Sequence, residues 1–359
     1  MQNTTNNTLS VSEKPRLHGL DYLRGLSAFG IMLYHCYSWT LGTQPASSLL
    51  GRIGIYGVAT FYILSGITLG YVYQSTLQPN ISNLWTFYKR RIYRIFPLLW
   101  LATLASIVLS KHAPSIIDLF LNLTGLFGLF KWNTYFATGA WSIGNELTFY
   151  LVFPIAIFLY RYIRIGFGLL LVTALGLFIY FAYQLLNQGL PLAGQWHTYT
   201  NPLNQVFLFL AGFTISTLIN PSKSKLSFCL SAMILGGLLF WLIPVQGNAI
   251  QLVTDNNRLL FGIACLLICG GFFRTTYATS WLEKLLAQLG QSSYSLYLLH
   301  PIIYAVVKVA FSLAAKRGIP VASPLIIITT ILVSLVASRI SYIYFETYFI
   351  SISHRQKVN

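Results

Sequence analysis

The sequence predicts an all-α, polytopic membrane bundle of about ten transmembrane helices, on three observations. Of 359 residues, 55% are apolar, 16% aromatic and only 8% charged, whereas about a quarter of a soluble domain is charged. Ten apolar runs follow one another near 20–39, 53–73, 92–110, 141–160, 165–187, 203–220, 226–243, 258–274, 292–313 and 323–345. Most approach the ~20 residues that cross a ~30 Å hydrocarbon core at ~1.5 Å per residue. With ten crossings and both termini in the cytosol, the inside segments carry 14 Lys and Arg and the outside segments 6. That excess is the positive-inside pattern.

An eleventh run, 116–130, is short and contains Asp118 and Asn122, so it reads as re-entrant or interfacial rather than spanning. Residues 1–19 form a polar N-terminal tail, 20–349 a single membrane-embedded domain and 350–359 a basic C-terminal tail. The N-terminal tail lacks the basic-then-apolar order of a cleaved signal, so the first run is expected to remain as its own insertion signal. The net charge of +16 arises from seven acids against 23 Lys and Arg. These cations sit in short loops between apolar runs, where topology accounts for them and no nucleic acid partner is needed. The four cysteines, Cys36, Cys229, Cys265 and Cys269, have no metal-ligand spacing and read as small buried hydrophobes.

The first run, Leu20 to Trp39, carries Arg24 and His35, eleven positions apart. At ~100° and ~1.5 Å per residue they share one helix face, about 16 Å apart along the axis. Arg24 alone could snorkel and His35 alone could be a satisfied interior histidine. Two ionisable groups on one face point instead to a protein interior or a watery cavity. A neutral imidazole can take a proton from a hydroxyl near neutral pH.

Lys89, Arg90, Arg91 and Arg94 form the densest cation cluster. Such a run at a membrane boundary can simply enforce topology or bind anionic lipid. It can also hold a phosphate-bearing ligand, and Arg91 and Arg94, three apart, point the same way for that purpose. Glu146, in the run WSIGNELTFYLVFP, is assigned roughly the depth of His35. It could orient His35, pair with Arg52, hold an acceptor hydroxyl, or form a structural ion pair. Trp141 and Asn145 of the same run are candidate substrate contacts. His300, before Pro301, either bonds freed backbone or joins the site. The glycines of GIYGVATFYILSGITLG read as close-packing positions.

In order, Asp21-Tyr22-Leu23-Arg24-Gly25 with His35 beyond, FYILSG at 61–66, Arg91-x-x-Arg94 ending in Phe96-Pro97, WSIGNELTFYLVFP and SSYSLYLLHP resemble acyltransferase family 3. The resemblance covers nearly the whole chain. It implies a ten-helix membrane acyltransferase, with a multi-pass location in a bacterial inner membrane. It implies transfer of an acyl group, commonly acetyl from acetyl-CoA, to a hydroxyl of a cell-surface or exported glycan. It implies that Arg24 and His35 are the essential Arg-x10-His pair, and that Arg91 and Arg94 are the RxxR motif. The expected catalytic set is then His35, Arg24 and Glu146, with His35 as general base or transient acyl carrier. Arg91, Arg94 and Arg90 would hold the donor, and Trp141, Asn145 and His300 the acceptor, with no metal.

The chain departs from the family where Gly144-Asn145-Glu146-Leu147 keeps one acid of a usual pair. Glu346 also lacks the basic residue and proline that usually follow it. Nothing after the tenth run resembles a soluble esterase-like domain, so the acceptor would fall to the membrane unit or a partner. The rival reading is a transporter or flippase for a glycan or lipid-linked sugar, using the same aromatic cavity without chemistry.

Overall fold

The computed structural model describes residues 16–111, 113–274, 280–319 and 322–354. His112, most of the polar N-terminal tail and the last five residues of the basic tail lie outside that set. Among the described residues there is no strand. The helices are α1 (His18–Leu41), α2 (Leu49–Tyr73), α3 (Ile81–Ser110), α4 (Ile116–Thr124), α5 (Phe127–Phe130), α6 (Ala140–Tyr162), α7 (Arg164–Tyr180), α8 (Trp196–Tyr199), α9 (Pro202–Leu218), α10 (Leu226–Leu242), α11 (Asp255–Phe272), α12 (Trp281–Gln291), α13 (Ser293–Lys316), α14 (Ser323–Ser341) and α15 (Thr347–His354).

Each of the ten apolar runs is helical. Among the described residues, six helical stretches are long and apolar enough to cross a membrane: Leu49–Tyr73, Ile81–Ser110, Ala140–Tyr162, Arg164–Leu185, Ser293–Lys316 and Ser323–Ser353. The apolar helices α9 and α10 are shorter, at 17 residues each. The run at 116–130 is not one helix. Gly125, at φ +75°, breaks it into α4 and α5; nine residues of α4 extend only about 14 Å. Asn122 is buried there, donating to the Asp118 and Thr134 carbonyls and accepting from the Phe136 N–H. The polar residue that interrupts the hydropathy thus clamps a loop.

Helix starts follow capping chemistry rather than hydropathy. Asn80 accepts from the Asn83 N–H at 2.9 Å, so α3 begins eleven residues before its apolar part and carries the cation cluster on helix. Ser280 and Glu283 form a reciprocal capping box that starts α12.

The centre of the bundle is the α2–α9 contact, made backbone to backbone. A methyl group at Gly66 would lie 2.0 Å from the Phe209 carbonyl oxygen, and one at Gly212 2.2 Å from that of Ile63. Small residues are what allow such approach in a membrane, where apolar side chains gain little over lipid. Gly212→Ala should therefore cost about 1–3 kcal/mol through overpacking. It should lower the melting temperature of the detergent-solubilised protein, while Gly168→Ala, with no neighbour within 4 Å, should not. Equal melting of the two variants would refute this account of the contact.

All four cysteines are buried and free. Their small apolar role is the one their setting predicts.

Candidate functional site: two cavities that meet at Tyr297

α1 runs unbroken from His18 to Leu41, and both of its ionisable groups turn onto protein. Arg24 donates to Thr68 Oγ1 at 2.7 Å and to the Leu64 carbonyl at 3.3 Å, both on α2. His35 meets α13, with its Nδ1 2.9 Å from Nε2 of His300. The common face is real, but it opens on two cavities rather than one.

The first cavity, about 90 Å³, is lined by Arg24, Arg91, Arg94, Glu146, Tyr150 and Ser65 among others. Three guanidiniums here face one carboxylate. Among the described residues, no ion pair within 4.0 Å joins Glu146 to Arg24, Arg91 or Arg94. Glu146 Oε1 instead accepts from Ser65 Oγ at 2.7 Å and from the Tyr150 hydroxyl. Arg91 lies over the rings of Tyr73, Phe87 and Tyr150 at 5.7–5.8 Å, which hold its charge without saturating its donors. Its hydrogen bond to the Tyr73 hydroxyl is long, 3.4 Å, and its Nε is buried without a partner. A guanidinium has five N–H donors, so this one is poised for an anion. Arg94 is exposed and forms the cavity's mouth. Arg90 is not in the wall, because one residue along a helix is a ~100° turn away from Arg91.

The second cavity is larger, about 610 Å³, and lies at the other end of α1. Its wall includes His35, Trp39, Tyr135, Trp141, Trp196 and Tyr199. The loops at 188–202 and 244–257, which carry no Lys or Arg, supply part of this wall, through Pro191, Leu192, Ala193 and Trp196 and through Gly247, Asn248 and Ala249. Trp141 meets Trp196 and Tyr199 at centroid distances of 5.5 and 5.6 Å. Trp39 stacks on His35 at 4.6 Å and 8°. Flat aromatic faces with few charges suit an uncharged ligand that has both apolar and hydroxyl surface.

Tyr297 belongs to both walls. Its hydroxyl donates to the Gly139 carbonyl at 3.0 Å and contacts Ser142 Oγ at 2.9 Å, which fixes the ring between the two chambers.

Several expectations need correction. Glu146 neither orients His35 nor pairs with Arg52. Arg52 is buried elsewhere, donating to the carbonyls of Phe240, Trp241 and Ile243 at 2.6–2.8 Å, where it satisfies the open end of α10. Asn145 is fully buried, reaches the Tyr62 hydroxyl at 3.2 Å and lines neither cavity. His300 is 1% exposed and stands behind His35 rather than in a wall. Arg24, Arg91 and Arg94 line the first cavity and Trp141 the second. Ser65, Tyr150 and Tyr297 were missed as site residues, although FYILSG and SSYSLYLLHP contain two of them. Trp196 and Tyr199 were missed too, and their one signal was aromatic clustering in a loop devoid of cations. Among the described residues no cluster of three His, Cys, Asp or Glu could hold a metal.

The family described as "Acyltransferase domain" matches residues 17–339. The chain belongs to that family. Relatives among curated proteins include three from Staphylococcus aureus, strains COL, MSSA476 and MRSA252, each named "Putative O-acetyltransferase". Each is 24% identical over 382 residues, covering 92% of this chain and 57% of the relative. The chain thus spans little more than half the length of the curated relatives it matches. No solved structure gives a significant match.

Proposed function

We propose that this chain is a ten-crossing, multi-pass O-acyltransferase of a bacterial inner membrane with both termini cytosolic. It moves an acyl group, acetyl from acetyl-CoA, to a hydroxyl of a cell-surface or exported polysaccharide. The observation that carries the reading is the pairing of a cation-rich cavity with an aromatic, imidazole-bearing one across a single tyrosine. The cavity of Arg24, Arg91 and Arg94 fits the phosphates of the donor, since its guanidiniums outnumber the carboxylate and retain free donors. The cavity of Trp39, Trp141 and Trp196 fits a sugar, whose C–H faces pack on aromatic rings while its hydroxyls reach polar edges. The relatives' printed names support acetyl as the group and oxygen as the acceptor.

His35 acts as general base. Its ring nitrogen takes the proton of the acceptor hydroxyl as that oxygen bonds to the thioester carbonyl carbon. The carbon–sulfur bond then breaks, and the departing thiolate takes the proton back from the imidazolium. Tyr297 stands where the acyl carbons must pass. Glu146 anchors Ser65 and Tyr150 and offsets part of the cationic charge, so it positions the donor cavity.

The test is transfer of radiolabelled acetyl from acetyl-CoA to glycan by the purified protein in nanodiscs. Labelled O-acetyl ester is the expected product. No transfer with any acyl-CoA, alongside saturable sugar flux in proteoliposomes, would replace the enzyme with a transporter.

A further inference from the structure

We propose that His300 is a positioning residue that fixes His35 in the tautomer with a bare Nε2, by relaying the hydrogen-bonding demand of the Leu296 carbonyl. The inference begins with an atom that cannot donate. His300 Nδ1 lies 2.9 Å from the Leu296 carbonyl oxygen, one turn back on α13. A carbonyl only accepts, so Nδ1 of His300 carries the hydrogen. In a neutral ring the other nitrogen, Nε2, is then an acceptor. The 2.9 Å contact from His300 Nε2 to His35 Nδ1 therefore has one available hydrogen, on His35 Nδ1. By the same exclusion, Nε2 of His35 holds a lone pair.

Ring geometry agrees. The two imidazoles lie within 16° of coplanar with centroids 5.2 Å apart. With nitrogens 2.9 Å apart, the rings meet edge to edge, as a straight N–H···N bond requires, rather than face to face. Trp39 covers one face of His35, so the ring cannot rotate to exchange its nitrogens without losing that contact. His35 Nε2 has no hydrogen-bond partner among the described residues and is not among the sealed, unpartnered buried atoms. Since His35 is in the wall of the larger cavity, this nitrogen opens there. Burial keeps His300 itself from substrate: it is 1% exposed and lines neither cavity. Pro301 gives no N–H to the carbonyl four residues back, that of Tyr297, whereas the His300 ring bonds the carbonyl of Leu296, so the contact is not a repair of the carbonyl that Pro301 frees.

The kinetic part of the test rests on the acyltransferase reading, and the spectroscopic part does not. The chain has only six histidines, so ¹⁵N-histidine labelling with His35→Ala for assignment resolves the two rings by NMR in nanodiscs. The expected spectrum shows both His35 and His300 protonated at Nδ1 and bare at Nε2. A His35 protonated at Nε2 in the wild-type protein overturns the proposal whether or not the protein transfers acyl groups.

In the transfer assay, His300→Gln keeps an amide oxygen near the position of the lost Nε2, whereas His300→Asn keeps only the group that reaches Leu296. His300→Asn should lose kcat by roughly tenfold or more with KM little changed, and His300→Gln should recover much of it. Equal loss in both variants, with His35 still bare at Nε2 in each, would mean that His300 only fills space.

Discussion

His35→Ala is expected to lower the rate of acyl transfer by about 10²–10⁴-fold, the range that a positioned general base supplies. Donor binding should survive, because His35 and the guanidiniums of Arg24, Arg91 and Arg94 occupy different cavities. The deletion should therefore appear in kcat rather than in the KM for acetyl-CoA. It should also leave folding intact: the ring is partly exposed to a cavity, and its loss opens space that is already open. Single-turnover kinetics with labelled donor and a purified acceptor would measure this. Transfer that persists at wild-type rate in His35→Ala would remove the imidazole from the chemistry altogether.

Arg91→Ala has the second largest expected effect, of the opposite kinetic type. Hydrogen bonds to charged groups are worth about 1.5–3 kcal/mol each, so one such bond to a donor phosphate predicts a rise in KM for acetyl-CoA of roughly 10- to 150-fold. Arg91→Lys should recover only part of it. An ammonium keeps the charge but not the planar fork, and it would sit less well among the rings of Tyr73, Phe87 and Tyr150. Isothermal titration with desulfo or hydrolysis-resistant acyl-CoA would separate binding from turnover. An unchanged KM would assign the cluster to topology alone.

Helix periodicity made one half of the site legible. The eleven-residue spacing turns Arg24 and His35 onto protein together, and the three-residue spacing puts Arg91 and Arg94 on one wall; the same geometry excludes Arg90, which the sequence alone groups with them as a donor contact. Both inferences use only angles within one helix. What failed was comparison between helices. Glu146 was assigned the depth of His35 by counting turns from the presumed membrane surface, yet it lies with Arg24 in the other cavity. The count assumed that α6 begins at that surface. Instead Gly139, just before α6, is itself in the wall of the larger cavity, together with Trp196 and residues 247–249. The helix starts inside the protein, so every residue on it lies deeper than hydropathy suggests.

The contact between His35 and His300 spans 265 positions and had no local signature. Each histidine could be read alone, but nothing in one chain's sequence says that two rings will share a proton. Helix starts show a related limit. Hydropathy locates the part of α3 that meets lipid, whereas Asn80 fixes where the helix begins, well outside the apolar run. The amphipathic α12 falls between the apolar runs at 258–274 and 292–313, so hydropathy assigns it no element, although Ser280 and Glu283 have the spacing of a capping box.

The ring of Tyr297, pinned by the Gly139 carbonyl and Ser142, has a consequence for the cell that contains it. Energised membranes tolerate little ion leakage, and a bore wide enough for a nucleotide or a sugar would short-circuit them. With Tyr297 as the residue common to both linings, the proposed transfer would need only the acyl carbons to pass that ring, with no continuous bore across the membrane.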